Sequence, residues 1–78
     1  MNIDTDKVDE AVLALLSLGL HEEYRAWKGF DWDAMDRLFE KGLISDPRSK
    51  AKSVVFTDKG LQRSREMFDR LFSRPQEA

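Results

Sequence analysis

The segment His21-Glu22-Glu23-Tyr24-Arg25 begins like a motif with known chemistry. In the helical zinc motif His-Glu-x-x-His, two histidines one helical turn apart bind one metal ion from the same face. Position 25 is an arginine here, so the second ligand is missing, and His21 is the one histidine of the chain. We therefore expect His21 to be a capping or surface residue, and we predict no metal ion or other cofactor.

Residues for other catalytic chemistry are missing too. The chain has no cysteine and no Gly-x-Ser-x-Gly turn that would expose a nucleophile. Its four glycines lie too far apart for a loop that binds phosphate. The carboxylates alternate with lysine and arginine, which is typical of solvated ion pairs rather than of a buried acid and base. We predict that the protein is not an enzyme.

Size and composition are those of one small domain. A chain of 78 residues with 41% hydrophobic and 36% charged residues fits a single soluble domain over residues 1–78, with residues 1–4 and 74–78 disordered. The longest apolar stretch, residues 11–20, is about half as long as a membrane span. Asp4 and Asp6 precede it, where a secretory signal would have a basic start. We therefore expect a cytoplasmic protein without a membrane partner.

Charge is divided unevenly along the chain. Residues 1–46 hold five basic and eleven acidic groups, a net charge of −6, whereas residues 47–78 hold eight basic and four acidic groups, a net charge of +4. An anionic partner should therefore prefer the C-terminal part. The alternative is that this division only keeps the surface solvated.

Three amphipathic segments predict three helices. The first begins at the N-cap Asp6 and ends at Gly19, the second runs from Asp31 to Gly42, and the third begins at Thr57. Their apolar residues recur every three or four positions and form one face of each helix. These residues are Val8, Ala11, Val12, Leu15 and Leu16 in the first helix, Trp32, Met35, Leu38 and Phe39 in the second, and Leu61, Met67, Phe68, Leu71 and Phe72 in the third.

Residues 21–30 show no sustained period and predict a short turn of helix or a structured loop. Tyr24, Trp27 and Phe30 follow each other at spacings of three and would share one side of a helix. They either cap the core or, together with Trp32, form an exposed aromatic surface that binds another protein.

The segments Leu43-Ile44 and 53–57 favour two strands on either side of a polar loop, which predicts a β-hairpin. Three consecutive segments carry a resemblance: Leu38-Phe39-Glu40-Lys41-Gly42-Leu43-Ile44, this loop, and Val54-Val55-Phe56-Thr57-Asp58-Lys59-Gly60-Leu61. Together they resemble the winged helix-turn-helix of MarR-type and PadR-type bacterial regulators. With Arg25-Ala26-Trp27-Lys28-Gly29-Phe30-Asp31-Trp32, nearly the whole chain also resembles a small bacterial family of domains of unknown function.

The resemblance to the regulators implies a mostly helical α+β, winged-helix-like fold with three or four helices and a two-stranded hairpin as the wing. It makes the second helix the recognition helix, and it implies that the last helix contributes to a dimer. A core of this size contributes little stability alone, which also favours a homodimer. We expect its interface to hold Met67, Phe68, Leu71 and Phe72.

Two features depart from the regulators. Residues 20–30 leave room for only about two helical turns before the recognition helix. That helix also presents Asp33, Asp36, Arg37, Glu40 and Lys41 outward, and its carboxylates would repel phosphates.

The sequence therefore leaves two predictions open. One is a regulatory module that contacts DNA through its wing and last helix, with Arg48, Lys50, Lys52, Arg63 and Arg65 as the binding residues. The other is a protein-interaction module that retains the winged-helix fold without binding DNA.

Overall fold

The computed structural model describes residues 2–74; Met1 and residues 75–78 lie outside it, and with them Pro75 and most of the C-terminal segment expected to be disordered. Three helices and three short strands make up the described chain. They are α1 (Thr5–Leu16), β1 (Leu20–His21), β2 (Arg25–Trp27), α2 (Trp32–Glu40), β3 (Ser53–Val55) and α3 (Asp58–Phe72), with a 3-10 turn, Ser17–Gly19, between α1 and β1.

Helix α1 begins two residues earlier than predicted. Its N-cap is Asp4, whose carboxylate accepts a hydrogen bond from the backbone N–H of Lys7 at 3.2 Å, whereas Asp6 lies within the first turn. The predicted cap was wrong because both aspartates precede the apolar stripe and either could accept this bond. The helix gives way to the 3-10 turn at Ser17, and the chain then enters β1 directly.

Residues 20–27 form a β-hairpin, not the helix turn or loop that was predicted. Strands β1 and β2 pair antiparallel, with His21 opposite Arg25, and the turn between them places Glu22 and Glu23 at positive φ angles of 49° and 67°. Strands of two and three residues are too short to show a period of two, and glutamate is not a residue that marks such a turn. The local pattern therefore carried no signal for this hairpin.

The sheet has three strands rather than the predicted two, in the order β1-β2-β3. Strand β3 pairs along the whole of β2, with Ala26 opposite Val54, and both of these side chains are fully buried. The predicted partner of β3, the segment Leu43-Ile44, meets this part of the chain through a single bridge between Ile44 and Phe56. The predicted hairpin is thus reduced to this one bridge, which two backbone hydrogen bonds flank, from Ser45 N–H to the Val55 carbonyl at 2.8 Å and from Thr57 N–H to the Leu43 carbonyl at 3.1 Å. The other edge of β3 pairs with β2.

The predicted ends of α2 and the predicted start of α3 are confirmed. The Asp31 carboxylate caps α2 by accepting a hydrogen bond from the N–H of Ala34, and Gly42 follows the helix with a φ of 76°. The Thr57 hydroxyl caps α3 by accepting from the N–H of Gly60 at 2.9 Å. It also donates to the Gly42 carbonyl at 2.7 Å, so one side chain joins the end of α2 to the start of α3.

Helix α3 packs closely against the rest of the molecule at two small residues. Ser64 is fully buried, and its hydroxyl donates to the Leu13 carbonyl of α1 at 2.7 Å. Gly60 lies against the carbonyl of Leu43, and a Cβ atom at this position would overlap that oxygen. The core beneath these contacts comes from α1, α2, the sheet and the segments that flank β3, and Leu61 of α3 packs against it. Its members are Val12, Leu13, Leu16, Ala26, Ala34, Met35, Leu38, Leu43, Ile44, Val54 and Phe56.

The fold is therefore α+β, with three helices packed around a small three-stranded antiparallel sheet. Within residues 2–74, no helix has the length and apolar character needed to cross a membrane.

We predict that Gly60→Ala lowers the free energy of unfolding by about 2 kcal/mol, although alanine is ordinarily the better helix former. The added methyl group would displace backbone atoms of Leu43, which cannot move as a flexible side chain could. Urea unfolding of the variant measures this loss. Gly29→Ala is the matched control, because no atom lies within 4 Å of a Cβ at that position; equal stability of the two variants would contradict the prediction.

Candidate functional site

The polar loop of residues 45–52 lies against the outward side of α2. The Arg48 guanidinium donates from Nη2 to Asp36 Oδ2 at 2.6 Å and from Nε to Asp36 Oδ1 at 3.2 Å. It also lies 5.3 Å from the centroid of the Trp32 ring. Asp36 and Trp32 stand one helical turn apart on α2, so together they bind one guanidinium through two hydrogen bonds and an aromatic face.

This contact shifts the titration of both partners. The hydrogen bonds from Arg48, helped by its positive charge, lower the pKa of Asp36 below its ordinary value despite some burial. The same hydrogen bonds and charge of Asp36 raise the pKa of Arg48. Both groups therefore stay ionised throughout the physiological pH range.

A second set of contacts fixes the loop to the end of β2. The ammonium of Lys28 donates to the carbonyls of Pro47 and Ser49, both at 2.7 Å, and its backbone N–H donates to the Lys52 carbonyl at 3.3 Å. The loop is thus held by Lys28 independently of Arg48. Arg48 is presented to α2 from a fixed backbone, not from a free hairpin tip.

The outward face of α2 combines aromatic rings with negative charge. Trp32 and Phe39 are 53% and 43% exposed, and three carboxylates share their side of the helix. These are Asp33, Asp36 and Glu40. The opposite side carries the buried residues Ala34, Met35 and Leu38, so the helical period separates the two sets. We call the set Trp32, Asp33, Asp36, Phe39 and Glu40 the acidic-aromatic face.

The five residues predicted to bind nucleic acid do not share one surface. Arg48 is ion-paired with the acidic-aromatic face, and Lys50 and Lys52 are exposed in the same loop. Arg63 and Arg65 lie on different sides of α3. Arg63 lines a cavity of about 300 Å³ together with Asp6 and Asp9, whereas Arg65 lines depressions beside the β1–β2 hairpin.

The four aromatic residues predicted to bind a protein are also separated. Tyr24 lies in the hairpin turn beside Arg65. Trp27 and Phe30 line an apolar groove of about 500 Å³ at the end of α1, and Trp32 contacts Arg48 on α2. The expected common side does not exist because residues 20–27 are strands and not a helix. His21 stacks on Trp27 with 4.2 Å between ring centroids.

The four residues predicted to form a dimer interface divide into two groups. Met67 is only 8% exposed and packs within the domain, beside the cavity that Arg63 lines. Leu71 and Phe72 are exposed at the end of α3, and the rings of Phe68 and Phe72 lie 5.4 Å apart.

An ion cluster between α1 and α2 was missed by the sequence analysis. The Asp9 carboxylate is 1% exposed and accepts hydrogen bonds from Arg37 Nε at 2.8 and 2.9 Å and from Lys41 Nζ at 3.0 Å. The available signal was position, because Asp9 lies one turn before Val12 and Leu13 on the buried side of α1. A carboxylate in that stripe needs a cationic partner.

Burial and pairing act oppositely on Asp9. Burial alone would raise the pKa of its carboxyl, but the hydrogen bonds and positive charges of Arg37 and Lys41 outweigh burial and lower the pKa below its ordinary value. The carboxylate is therefore fully ionised at neutral pH. Among residues 2–74, no three carboxylate or histidine side chains are grouped so that they could hold a metal ion.

A family model and a curated relative match this chain. The model of a family described as "Domain of unknown function (DUF6429)" matches residues 4–74. The chain is 65% identical over 74 residues to the uncharacterized protein y4hR of Sinorhizobium fredii (strain NBRC 101917 / NGR234), a match that covers 95% of this chain and 100% of that protein. No solved structure matches the chain significantly. The predicted resemblance to a small family of domains of unknown function is thereby confirmed.

We predict that Asp9→Asn lowers the free energy of unfolding at pH 7 by about 2 kcal/mol. This is below the roughly 3–5 kcal/mol lost when fully buried ion pairs are broken, because the Arg37 side chain stays 31% exposed. A lowered pKa in the folded state stabilises the protein above the ordinary aspartate pKa, and this contribution is lost as the pH falls through the lowered value.

The difference in stability between wild type and Asp9→Asn should therefore shrink below about pH 4. Urea unfolding at several pH values measures it. Asp6→Asn is the control, because the Asp6 side chain is 84% exposed. A loss at pH 7 as large for Asp6→Asn as for Asp9→Asn would refute the role of Asp9.

Proposed function

The chain belongs to the DUF6429 family of domains of unknown function, and we propose that it is a small non-catalytic module that binds another protein through the acidic-aromatic face of α2. The observation that carries this proposal is the position of Arg48. A basic residue of the predicted wing pairs at 2.6 Å with a carboxylate of the predicted recognition helix, so positive and negative charges share one surface.

Electrostatics favour a positively charged segment of a protein as the partner. Asp33, Asp36 and Glu40 would attract lysine and arginine, and the exposed rings of Trp32 and Phe39 can pack on the aliphatic parts of those side chains or on their charged groups. A DNA backbone on the same face would place phosphates beside three carboxylates, which opposes binding.

The order of elements supports a winged-helix-like fold within this proposal. In the regulators that the sequence resembles, a recognition helix, a wing and a last helix follow each other. Here α2 stands in the first position, the loop with the bridge between Ile44 and Phe56 in the second, and α3 in the third. The β1–β2 hairpin stands where those regulators have a helix before the recognition helix. Without that helix, α2 has no helix-turn-helix partner to orient it in a DNA groove.

We also propose that the module is a homodimer. Helices α1 and α3 run antiparallel, because Ser64 meets Leu13 while Leu61, near the start of α3, lines a depression with Leu20 and His21, which follow the end of α1. Helical spacing places Phe68 and Phe72 beside Ser64, on the flank of α3 opposite to Met67.

The outward part of α1 and of the turn after it carries the exposed Val8 and Leu18 and the half-buried Leu15. Helix α1 has three acidic residues and one lysine, whereas α3 has four basic and three acidic residues. A two-fold axis across the helix pair would place each α1 against the α3 of the second copy and join opposite charges.

We predict that an arginine-rich synthetic peptide shifts the backbone amide signals of residues 32–40 in NMR spectra of the labelled protein. The same peptide with glutamate at each arginine should leave them unchanged, because the carboxylates of α2 repel it. A separate titration with random-sequence duplex DNA, at low and near-physiological salt, tests the alternative of DNA binding.

Trp32→Ala should weaken peptide binding. Trp27→Ala is the matched control, because Trp27 is about as exposed as Trp32 but lines the apolar groove at the end of α1. Salt-sensitive shifts confined to residues 48–65 on addition of DNA, with no response to the peptide, would replace this function by nucleic-acid binding through the wing.

Sedimentation should give twice the chain mass of 9.1 kDa at micromolar concentration. Leu18→Glu and Phe72→Glu should each dissociate the dimer, because they bury a charge in the apolar contact. Phe39→Glu on α2 is the control and should leave the dimer intact. A wild-type protein that sediments as a monomer, or a dimer that only Phe39→Glu dissociates, would contradict the proposed interface.

A further inference from the structure

We propose that Asp36 and Trp32 form a binding site for an arginine side chain of the partner protein, and that Arg48 of this chain occupies the site until the partner replaces it. This inference rests on the proposed function, since it names the group that the acidic-aromatic face recognises. It adds a specific site and a competing internal ligand to that face.

The geometry selects a guanidinium over an ammonium group. Two nitrogens of Arg48, Nε and Nη2, each reach a different oxygen of Asp36, at 3.2 and 2.6 Å. The same planar group lies 5.3 Å from the centroid of the Trp32 ring. A lysine could supply one point charge but not two parallel hydrogen bonds together with a planar contact. The site therefore has the chemistry of arginine recognition.

The surroundings of the site are acidic on both sides. Asp36 raises the pKa of Arg48 most, and the negative charges of Asp46 in the loop and Asp33 on α2 raise it further. These carboxylates would hold a second positive group of a partner close to the first. A segment with several arginines or lysines therefore fits better than a single charged residue.

The internal occupant can be exchanged without loss of the fold. The Arg48 side chain is 62% exposed, and ion pairs this exposed contribute little to stability. The loop is held by Lys28 through Pro47 and Ser49, so it stays in place when Arg48 leaves. An incoming arginine would remake the contacts that Arg48 gives up. The apparent affinity for the partner is then the affinity of the empty site multiplied by the fraction of time that Arg48 leaves the site free.

The experiment compares the affinity of the arginine-rich synthetic peptide for wild type and Arg48→Gln, by isothermal titration and by tryptophan fluorescence. We expect Arg48→Gln to bind about two- to five-fold more tightly, which is the range that an exposed ion pair can supply. Lys50→Gln is the matched control, because it removes one positive charge from an exposed position of the same loop. It should bind nearly as wild type does.

Two further measurements complete the test. Asp36→Asn should lose most of the affinity for the arginine-rich peptide, and the same peptide with lysine at each arginine should bind wild type more weakly. Equal gains for Arg48→Gln and Lys50→Gln would overturn the inference but leave the proposed function standing, because the gain would then reflect net charge alone. Failure of every variant, Arg48→Gln included, to bind the peptide would overturn both.

Discussion

The buried carboxylate of Asp9 sets the orientation of α2, on which the candidate site depends. A charge that is 1% exposed needs cationic partners, and Arg37 and Lys41 supply them from α2. These two residues lie one turn apart, so the side of α2 that carries them must face α1. Trp32 and Asp36 then point away from the core, where they meet Arg48. The polar contact between α1 and α2 thus decides which side chains of α2 a partner can reach.

A second constraint joins α3 to the end of α2. The hydroxyl of Thr57 caps α3 and also donates to Gly42, while Gly60 lies against the Leu43 carbonyl and Ser64 donates to Leu13. Each contact uses a small side chain where backbones approach closely, so a larger residue would separate the elements. These contacts hold the end of α2 close to the start of α3. The loop of residues 45–52, which connects α2 to β3, therefore stays near α2.

The uneven charge along the chain takes on a different meaning in three dimensions. The acidic first part and the basic second part meet at one point, because Arg48 pairs with Asp36. Folding therefore takes one basic residue of the second part to the acidic side of α2, while Lys50, Lys52, Arg63 and Arg65 stay exposed elsewhere. The outward side of α2 is negative and aromatic. Because negative charge repels phosphates and attracts lysine and arginine, a basic protein segment is preferred over DNA as the partner.

The sequence by itself determined the features that depend on near neighbours. Asp31, Gly42 and Thr57 were predicted correctly as helix ends, because a cap needs only residues within one turn. The outward position of Asp33, Asp36 and Glu40 followed from the helical period for the same reason. Arg37 and Lys41 were predicted to point outward with them, which was wrong because both pair with the buried Asp9. Only the tertiary structure decided the β1–β2 hairpin, the burial of Asp9 and the contact of Arg48 with α2. Each of these joins strands too short to show a period, or residues far apart along the chain, so its energy arises from packing that no local pattern encodes.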